Sequence, residues 1–248
     1  MKRYSTLYIA LVCSFAPIYA LFSLLSLFPI IGDAGKFITL SSILAPLLGL
    51  ILGPEIGFVT VAIGGLIGTM LSPTSVFGPL SFVPGATAAL SSGLLYQRRR
   101  FPLLVTYLLV LLAFCFFPNI GPAWVYPQYL WFQILGILFL ASPLQVKAID
   151  YVRKREGIFR LVVGIAGISL TSTLLNQLVG SLMFEGFFEF VFQEVDYWRA
   201  LWQTLTLLYP VERIIITVIA SLIGVFLVKA LDAYGFELGG YNLKMRKE

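Results

Sequence analysis

The sequence predicts an all-α protein: a polytopic membrane bundle of about eight transmembrane helices with both termini in the cytoplasm. Three observations lead to this prediction. Hydrophobic residues make up 59% of the 248-residue chain and charged residues only 12%, whereas soluble proteins carry roughly 25% charged residues. The apolar residues fall in long runs, and the basic residues fall mainly between alternate runs.

The apolar runs are close to the roughly 20 residues that a helix needs to cross a bilayer. The first could pass for a signal peptide, but no small-x-small cleavage site follows it, so we interpret it as the first helix. No polar stretch is long enough to form a soluble core, and residues 1–248 are expected to form a single integral membrane domain. The runs are 7–31, 37–53, 56–71, 79–96, 101–117, 128–146, 158–184 and 211–231.

The positions of Lys and Arg predict the orientation. If the N-terminus is cytoplasmic and all eight runs cross, every Lys and Arg except Lys36, Arg199 and Arg213 falls on the cytoplasmic side. This is the positive-inside distribution of a plasma-membrane protein. The net charge of +5 therefore indicates topology and contact with anionic membrane lipids rather than a nucleic-acid partner.

The second and third runs form a short hairpin that is broken by Gly53-Pro54-Glu55. The sequence leaves open whether residues 37–71 form two true spans or one re-entrant hairpin. Glycines recur at a spacing of four, a pattern that lets helix backbones approach closely, and tight packing is its ordinary explanation. The spacings are Gly49-Leu-Ile-Leu-Gly53, Gly53-Pro-Glu-Ile-Gly57 and Gly64-Gly-Leu-Ile-Gly68.

Polar residues interrupt the apolar pattern of the second half at two places. Asn176 and Gln177 lie well inside the run 158–184, and intramembrane polar residues usually face a bundle interior or a cavity. Glu212 and Arg213 open the last run, either as an ion pair at a helix end or as part of a binding site. Interhelical hydrogen bonding and ligand contact both remain open for these residues.

The outer segment 185–210 combines four acidic residues with many aromatic ones. Its spacing predicts an amphipathic helix lying in the outer membrane interface. An aromatic belt explains the rings, and an aromatic cage for a ligand is the alternative.

Several kinds of chemistry have no residues to support them. The chain has no histidine, which removes the commonest general base and zinc ligand. It has no GxxxxGK[ST] phosphate loop, and Cys13 and Cys115 both lie inside predicted spans. We therefore predict no catalytic residue, no metal site and no cofactor, and a protein that is not an enzyme and does not power its own transport.

Three stretches resemble the substrate-binding S components of energy-coupling factor (ECF) transporters. The resemblance covers about residues 5–100 and 205–232 and is absent between 101 and 157. That family has six helices, so residues 101–146 are interpreted as an inserted hairpin. The stretches are "ITLSSILAPLLGLILGPEIGFVTVAIGGLIG" (38–68), "FVPGATAALSSGLLYQRRR" (82–100) and "LYPVERIIITVIASLIGVFLVKAL" (208–231).

The resemblance implies a subunit that captures a vitamin-like nutrient, while a separate transmembrane scaffold (T component) and two ATPase subunits supply the energy. It implies docking on the scaffold through small residues spaced four apart on the first helix, here Ala16 and Ala20. It also implies that the ligand lies beneath the loops after the first and third helices. The candidate binding residues are Asp33, Lys36, Ser72, Thr74 and Ser75 from these loops, together with Asn176, Gln177, Glu212 and Arg213.

The sequence leaves two other functions open. One is a non-catalytic assembly subunit that uses the small-residue faces to hold partner helices. The other is a membrane enzyme that acts on lipid through Glu185, Glu189 or Asp196. Acidic residues outnumber basic ones on the predicted outer side, which favours a neutral or cationic ligand.

Overall fold

Helices make up nearly all of the described chain, as predicted. A computed structural model of the protein describes residues 2–29, 37–71, 77–189, 191, 194–236 and 238–239. The one addition to the predicted all-α class is an antiparallel ribbon after the first helix, in which Ser26 pairs with Thr39. The elements are α1 (Lys2–Ser23), β1 (Ser26–Pro29), β2 (Phe37–Thr39), α2 (Ser41–Leu52), α3 (Pro54–Leu71), α4 (Phe82–Tyr96), α5 (Arg100–Cys115), α6 (Pro122–Val125), α7 (Trp131–Ala141), α8 (Pro143–Lys154), α9 (Ile158–Phe188) and α10 (Val195–Ala233), with 3-10 turns at Gly78–Ser81 and Pro127–Leu130.

The N-terminal half, α1 to α4, packs backbone against backbone. A Cβ atom on Gly57 would lie 2.7 Å from Gly49 Cα, and one on Gly64 would lie 2.5 Å from the carbonyl oxygen of Ala16. Only glycine permits such approaches, so the recurring glycines serve tight packing within this chain. Gly53 has φ +87° between α2 and α3, which confirms the predicted turn of the hairpin.

The C-terminal half packs through large side chains. Phe114, Trp198 and Trp202 are almost fully buried, and the ring of Phe114 meets Trp202 edge-on at 5.5 Å between centroids. The indole N–H of Trp202 donates to the carbonyl oxygen of Ile120 at 3.0 Å. Aromatic pairs of this kind add to the free energy gained by burying their area.

The outer segment 185–210 differs from its prediction. Residues 195–210 are not a separate interfacial helix but the first part of α10, which runs unbroken for 39 residues. Trp198 and Trp202 bury their rings inside the bundle rather than presenting them to the membrane surface. At about 1.5 Å per residue, α10 measures roughly 58 Å, nearly twice the hydrocarbon thickness of a bilayer.

The helix continues through Pro210 because another residue replaces the missing hydrogen bond. Proline has no N–H, so the carbonyl of Thr206, four residues earlier, loses its donor within the helix. The indole N–H of Trp131 donates to that oxygen at 3.1 Å. Trp131, at the start of α7, thereby supplies the donor that the Thr206 carbonyl of α10 lacks.

Four arginines mark one end of the bundle, which we call the basic end. They link the C-terminal ends of α4, α8 and α10 to one another, and Arg100 links the start of α5 to the junction between α7 and α8. Exposed ion pairs of this sort contribute little stability, but they show which helix ends lie together. The contacts are Arg98 with Asp150, Arg100 Nη1 with the Ser142 carbonyl at 2.9 Å, Arg153 Nη1 with the Tyr96 carbonyl at 3.0 Å, and Arg155 with Asp232.

The exposed surface is that of a membrane protein. Large apolar side chains such as Met70, Phe101 and Phe226 are more than two-thirds exposed, which in water would form aggregation-prone patches. Among the described residues, α3, α9 and α10 are long and apolar enough to span a membrane, and residues 127–154 form a fourth candidate that bends by 64°. The eight-span topology and the cytoplasmic termini stay predictions.

Candidate functional site

A cavity of about 210 Å³ lies between the two halves of the bundle. Side chains from β2, from α1 to α4 and from α9 and α10 line it. They come from the C-terminal parts of α1, α3 and α9 and from the beginnings of α2 and α4. These are the helix ends that lie away from the basic end, so the cavity occupies the opposite end of the bundle.

The wall from the N-terminal half is rich in hydroxyl groups that already have partners. Thr39 Oγ1 and Ser41 Oγ lie 2.7 Å apart, and Tyr19 is hydrogen-bonded to Ser41. Ser81 Oγ accepts the backbone N–H of Phe77 at 3.0 Å. This wall is therefore held in place by its own hydrogen bonds.

The wall from the C-terminal half carries polar groups without protein partners. Asn176, Gln177 and Arg213 are only 8%, 7% and 4% exposed, and all three line the cavity. Gln177 Nε2 donates to Tyr129 Oη at 3.3 Å. Among the described residues, nothing hydrogen-bonds to Gln177 Oε1 or to Arg213 Nε. Buried polar groups are nearly always paired, so these two unpaired atoms on cavity-lining residues set this wall apart from the opposite one.

Glu212 is buried next to Arg213 but does not line the cavity. Its Oε2 lies 3.8 Å from Arg213 Nη2, which is too far for a hydrogen bond. Glu212 therefore compensates the charge of Arg213 loosely and makes no hydrogen bond to its Nη2.

The predicted site residues fall into two groups. Asn176 and Gln177 from α9 and Arg213 from α10 all line the cavity. Glu212 is buried beside Arg213 but does not line it. The residues predicted from the two loops lie outside the described part of the chain. Ile38 and Phe77, which border those loops, both line the cavity. The unassigned loop residues are Asp33, Lys36, Ser72, Thr74 and Ser75.

Ala16 and Ala20, the predicted docking residues, are each 3% exposed. They lie on the face of α1 that packs against Gly64 and Gly68 of α3. Their small side chains therefore serve contact between α1 and α3 in this chain. Docking of a scaffold along α1 stays a prediction.

Sequence reasoning missed the aromatic part of the cavity wall. Trp202 and Tyr209 line the cavity and precede Arg213 at helical spacing, with Leu205 between them. Gly180 and Phe184 extend the face of α9 that begins at Gln177. The interfacial interpretation of residues 185–210 separated these rings from Arg213, although the spacing of three and four residues could have joined them.

The charge of the cavity differs from the charge of the outer loops. Arg213 is the one charged residue among the described residues that line the cavity. The prediction of a neutral or cationic ligand counted charges over whole loops, and several of the acids in that count lie elsewhere. Glu185 is fully buried outside the cavity lining, and Asp196 pairs with Arg199 at 2.7 Å on the surface.

Comparison with known proteins identifies the family. The family model described as "ECF transporter, substrate-specific component" matches residues 8–228. The match runs through residues 101–157, where the sequence resemblance had been absent. No curated protein and no solved structure matches the chain. Substrate-specific components are substrate-binding membrane subunits that pair with a T component and ATPases, and they are not enzymes. The chain belongs to the family of substrate-specific components of ECF transporters.

Proposed function

We propose that this protein captures a small, vitamin-like nutrient for an ECF importer of the plasma membrane and holds it in the cavity between the two halves. A separate T component and two ATPase subunits drive release into the cell. In this proposal the cavity faces outward and the basic end faces the cytoplasm, in agreement with the positive-inside distribution. The scaffold contacts the side of the bundle that contains α1.

The cavity's unpaired polar groups carry the proposal. Asn176, Gln177 and Arg213 are buried and line one space, and Gln177 Oε1 and Arg213 Nε have no hydrogen-bond partner among the described residues. A protein that only packed helices together would gain nothing from them, because an unsatisfied buried donor or acceptor costs about 1–3 kcal/mol. A ligand with matching groups removes that cost.

The packing of the glycines weakens the alternative of an assembly subunit without a ligand. That alternative needs small-residue faces free to hold partner helices. In the described chain, Gly57 packs against Gly49 and Gly64 packs against Ala16. The faces that suggested outside partners are occupied by helices of the same chain.

A cavity-filling substitution tests the proposal. A Cβ atom on Gly180 would meet only Pro84, at 3.7 Å, an ordinary contact, so Gly180→Leu can fold and extend its side chain into the cavity. We expect native mass spectrometry of protein purified from its host to show a stoichiometric small-molecule adduct on the wild type and none on Gly180→Leu.

Gly186→Leu is the matched control. Gly186 lies on the same helix outside the cavity, and no atom lies within 4 Å of the position of its Cβ. Its adduct should equal that of the wild type. Equal adducts on both variants would contradict the cavity as the binding site. Co-purifying chains without any adduct, even after soaking with host metabolites, would favour the assembly subunit.

A further inference from the structure

The chemistry of the cavity narrows the class of its ligand. This inference rests on the proposed function, because it names the substrate class of the same cavity. Arg213 is the one charged side chain among the described lining residues, and the rest of that lining is apolar, aromatic, hydroxyl or amide. A guanidinium offers five N–H donors in a planar fork and no acceptor. A ligand that fits must therefore present acceptors to it.

The burial of Arg213 and its lack of a close partner indicate that it binds an anionic ligand. Its side chain is 5% exposed, and its closest carboxylate oxygen, on Glu212, is 3.8 Å away. The Nε atom has no hydrogen-bond partner among the described residues. Burying a charged group without good pairing is strongly unfavourable. A bound carboxylate would supply two oxygens at the spacing of the fork.

The number of cations sets the charge of the ligand. A phosphate monoester carries about −1.5 to −2 at neutral pH, and the described lining offers one cation to match it. A carboxylate carries a single negative charge that one arginine can compensate. The cavity is also small, about 210 Å³, against roughly 300–1,000 Å³ for sites that take drug-sized ligands.

The remaining walls determine what the carboxylate is attached to. Phe82, Phe184 and Trp202 line the cavity from both halves and can cover an apolar or aromatic body. Asn176 and Gln177 line the same space, and their side-chain amides can exchange a hydrogen bond with that body. We propose that the cavity binds a small monocarboxylate with an apolar or aromatic body, and that Arg213 holds its carboxylate.

Matched probe pairs test this proposal on the full-length protein in detergent. Each pair places a carboxylate and its primary amide on the same ring: benzoate and benzamide, nicotinate and nicotinamide, indole-3-acetate and indole-3-acetamide. Thermal-shift titrations report binding, because a ligand that binds only the folded state stabilises it. We expect at least one carboxylate to bind the wild type and its amide partner to bind at least about tenfold more weakly.

Two substitutions should move the affinity in opposite directions. Arg213→Gln should weaken carboxylate binding by roughly 10- to 100-fold, since it removes a charged hydrogen-bond donor. Glu212→Gln leaves the cavity lining intact and removes the competing carboxylate, so binding should tighten by roughly two- to fivefold, as expected for loss of a loosely aligned ion pair. The second variant keeps the test decisive if Arg213→Gln does not fold.

Three outcomes would overturn the inference. The first is amides that bind as well as carboxylates, and the second is no binding by any carboxylate probe. The third is unchanged affinity in Glu212→Gln together with an Arg213→Gln protein that either binds as the wild type does or does not fold. In each case the proposed function survives if the native adduct is still lost in Gly180→Leu. If that adduct persists in Gly180→Leu, the proposed function itself fails.

Discussion

The two halves of the bundle are held together by different kinds of contact. In α1 to α4, glycines bring backbones together, as where Gly57 meets Gly49. In α5 to α10, rings and side-chain hydrogen bonds join the helices, as where Tyr107 donates to Gln133 Oε1 at 2.7 Å. A close glycine contact occurs there too, because a Cβ atom on Gly164 would lie 2.7 Å from the Ala148 carbonyl oxygen. The first kind of packing fails when an atom is added, and the second fails when atoms are removed.

The cavity lies between the two halves, so its two walls differ as the halves do. On the side of α1 to α4 its hydroxyls are already paired, as Thr39 with Ser41. On the side of α9 and α10, Gln177 Oε1 and Arg213 Nε have no partner among the described residues. The close-packed half thus supplies a fixed wall, and the aromatic half supplies the polar groups that we propose as ligand contacts.

Gly64→Leu should have the largest effect of the changes that sharpen this comparison. A Cβ atom at this position would lie 2.5 Å from the backbone oxygen of Ala16, which cannot rotate away as a side chain can. Extra methylenes in a packed core typically cost about 1–3 kcal/mol and occasionally more. Leucine adds four carbon atoms against the backbone of α1, so we expect its cost to exceed the about 3–5 kcal/mol of a buried Phe→Ala change. We expect little folded, monodisperse protein by fluorescence-detected size-exclusion chromatography.

Gly186→Leu is the control here as well, because its Cβ would meet nothing within 4 Å. It should give a normal elution profile and a normal melting temperature. A Gly64→Leu protein that elutes and melts like this control would show that α1 and α3 are not in backbone contact.

Phe114→Ala tests the other kind of packing and should have the next largest effect. The ring is fully buried and meets Tyr129 and Trp202 edge-on. Removing a buried phenylalanine costs about 3–5 kcal/mol through lost contacts and the cavity left behind. We expect a clearly lower melting temperature for a protein that still folds.

Phe116→Ala provides the matched comparison two residues further along the chain. Phe116 is 54% exposed, and substitutions at exposed positions usually change stability by about 0.5 kcal/mol or less. Equal melting temperatures for the two variants would count against the aromatic cluster as the core of this half.

The turn of the hairpin and the polar contacts of the cavity were predictable because their signals are local. Gly53 followed by Pro54 ends one helix and begins another, whatever surrounds them. Asn176 and Arg213 stand out as polar residues within apolar runs, and a low-dielectric setting requires a use for them. Local chemistry was sufficient at these positions.

Other features depend on partners that are distant in the sequence. The small-residue spacing at Ala16 looks the same whether it faces a scaffold or α3, and only the fold shows that α3 covers it. The hydroxyl wall depends on how Tyr19 of α1 meets Ser41 of α2 in three dimensions. The aromatic residues before Pro210 suggested a membrane-interface helix, because their apolar-aromatic spacing outside the predicted spans is typical of one.

Trp131→Phe should have the smallest effect of these changes. It tests directly the contact between α7 and α10 at Pro210. Trp131 donates to the Thr206 carbonyl, which Pro210 leaves without a helical donor. Trp131→Phe should lower stability by about 0.6 kcal/mol, the average for hydrogen bonds within membrane proteins. In a Pro210→Ala background the new backbone N–H can satisfy Thr206, so the same Trp131→Phe change should cost less.

The two melting-temperature differences form a double-mutant cycle, which isolates the coupling between Trp131 and Pro210 from any other effect of either change. An equal loss in both backgrounds would mean that the indole N–H does not replace the missing helical bond. The continuous helix would then need another source of stability at Pro210. A smaller loss in the Pro210→Ala background would show why this sequence places a tryptophan at the start of α7, where the aromatic half of the bundle holds the helix that carries Arg213.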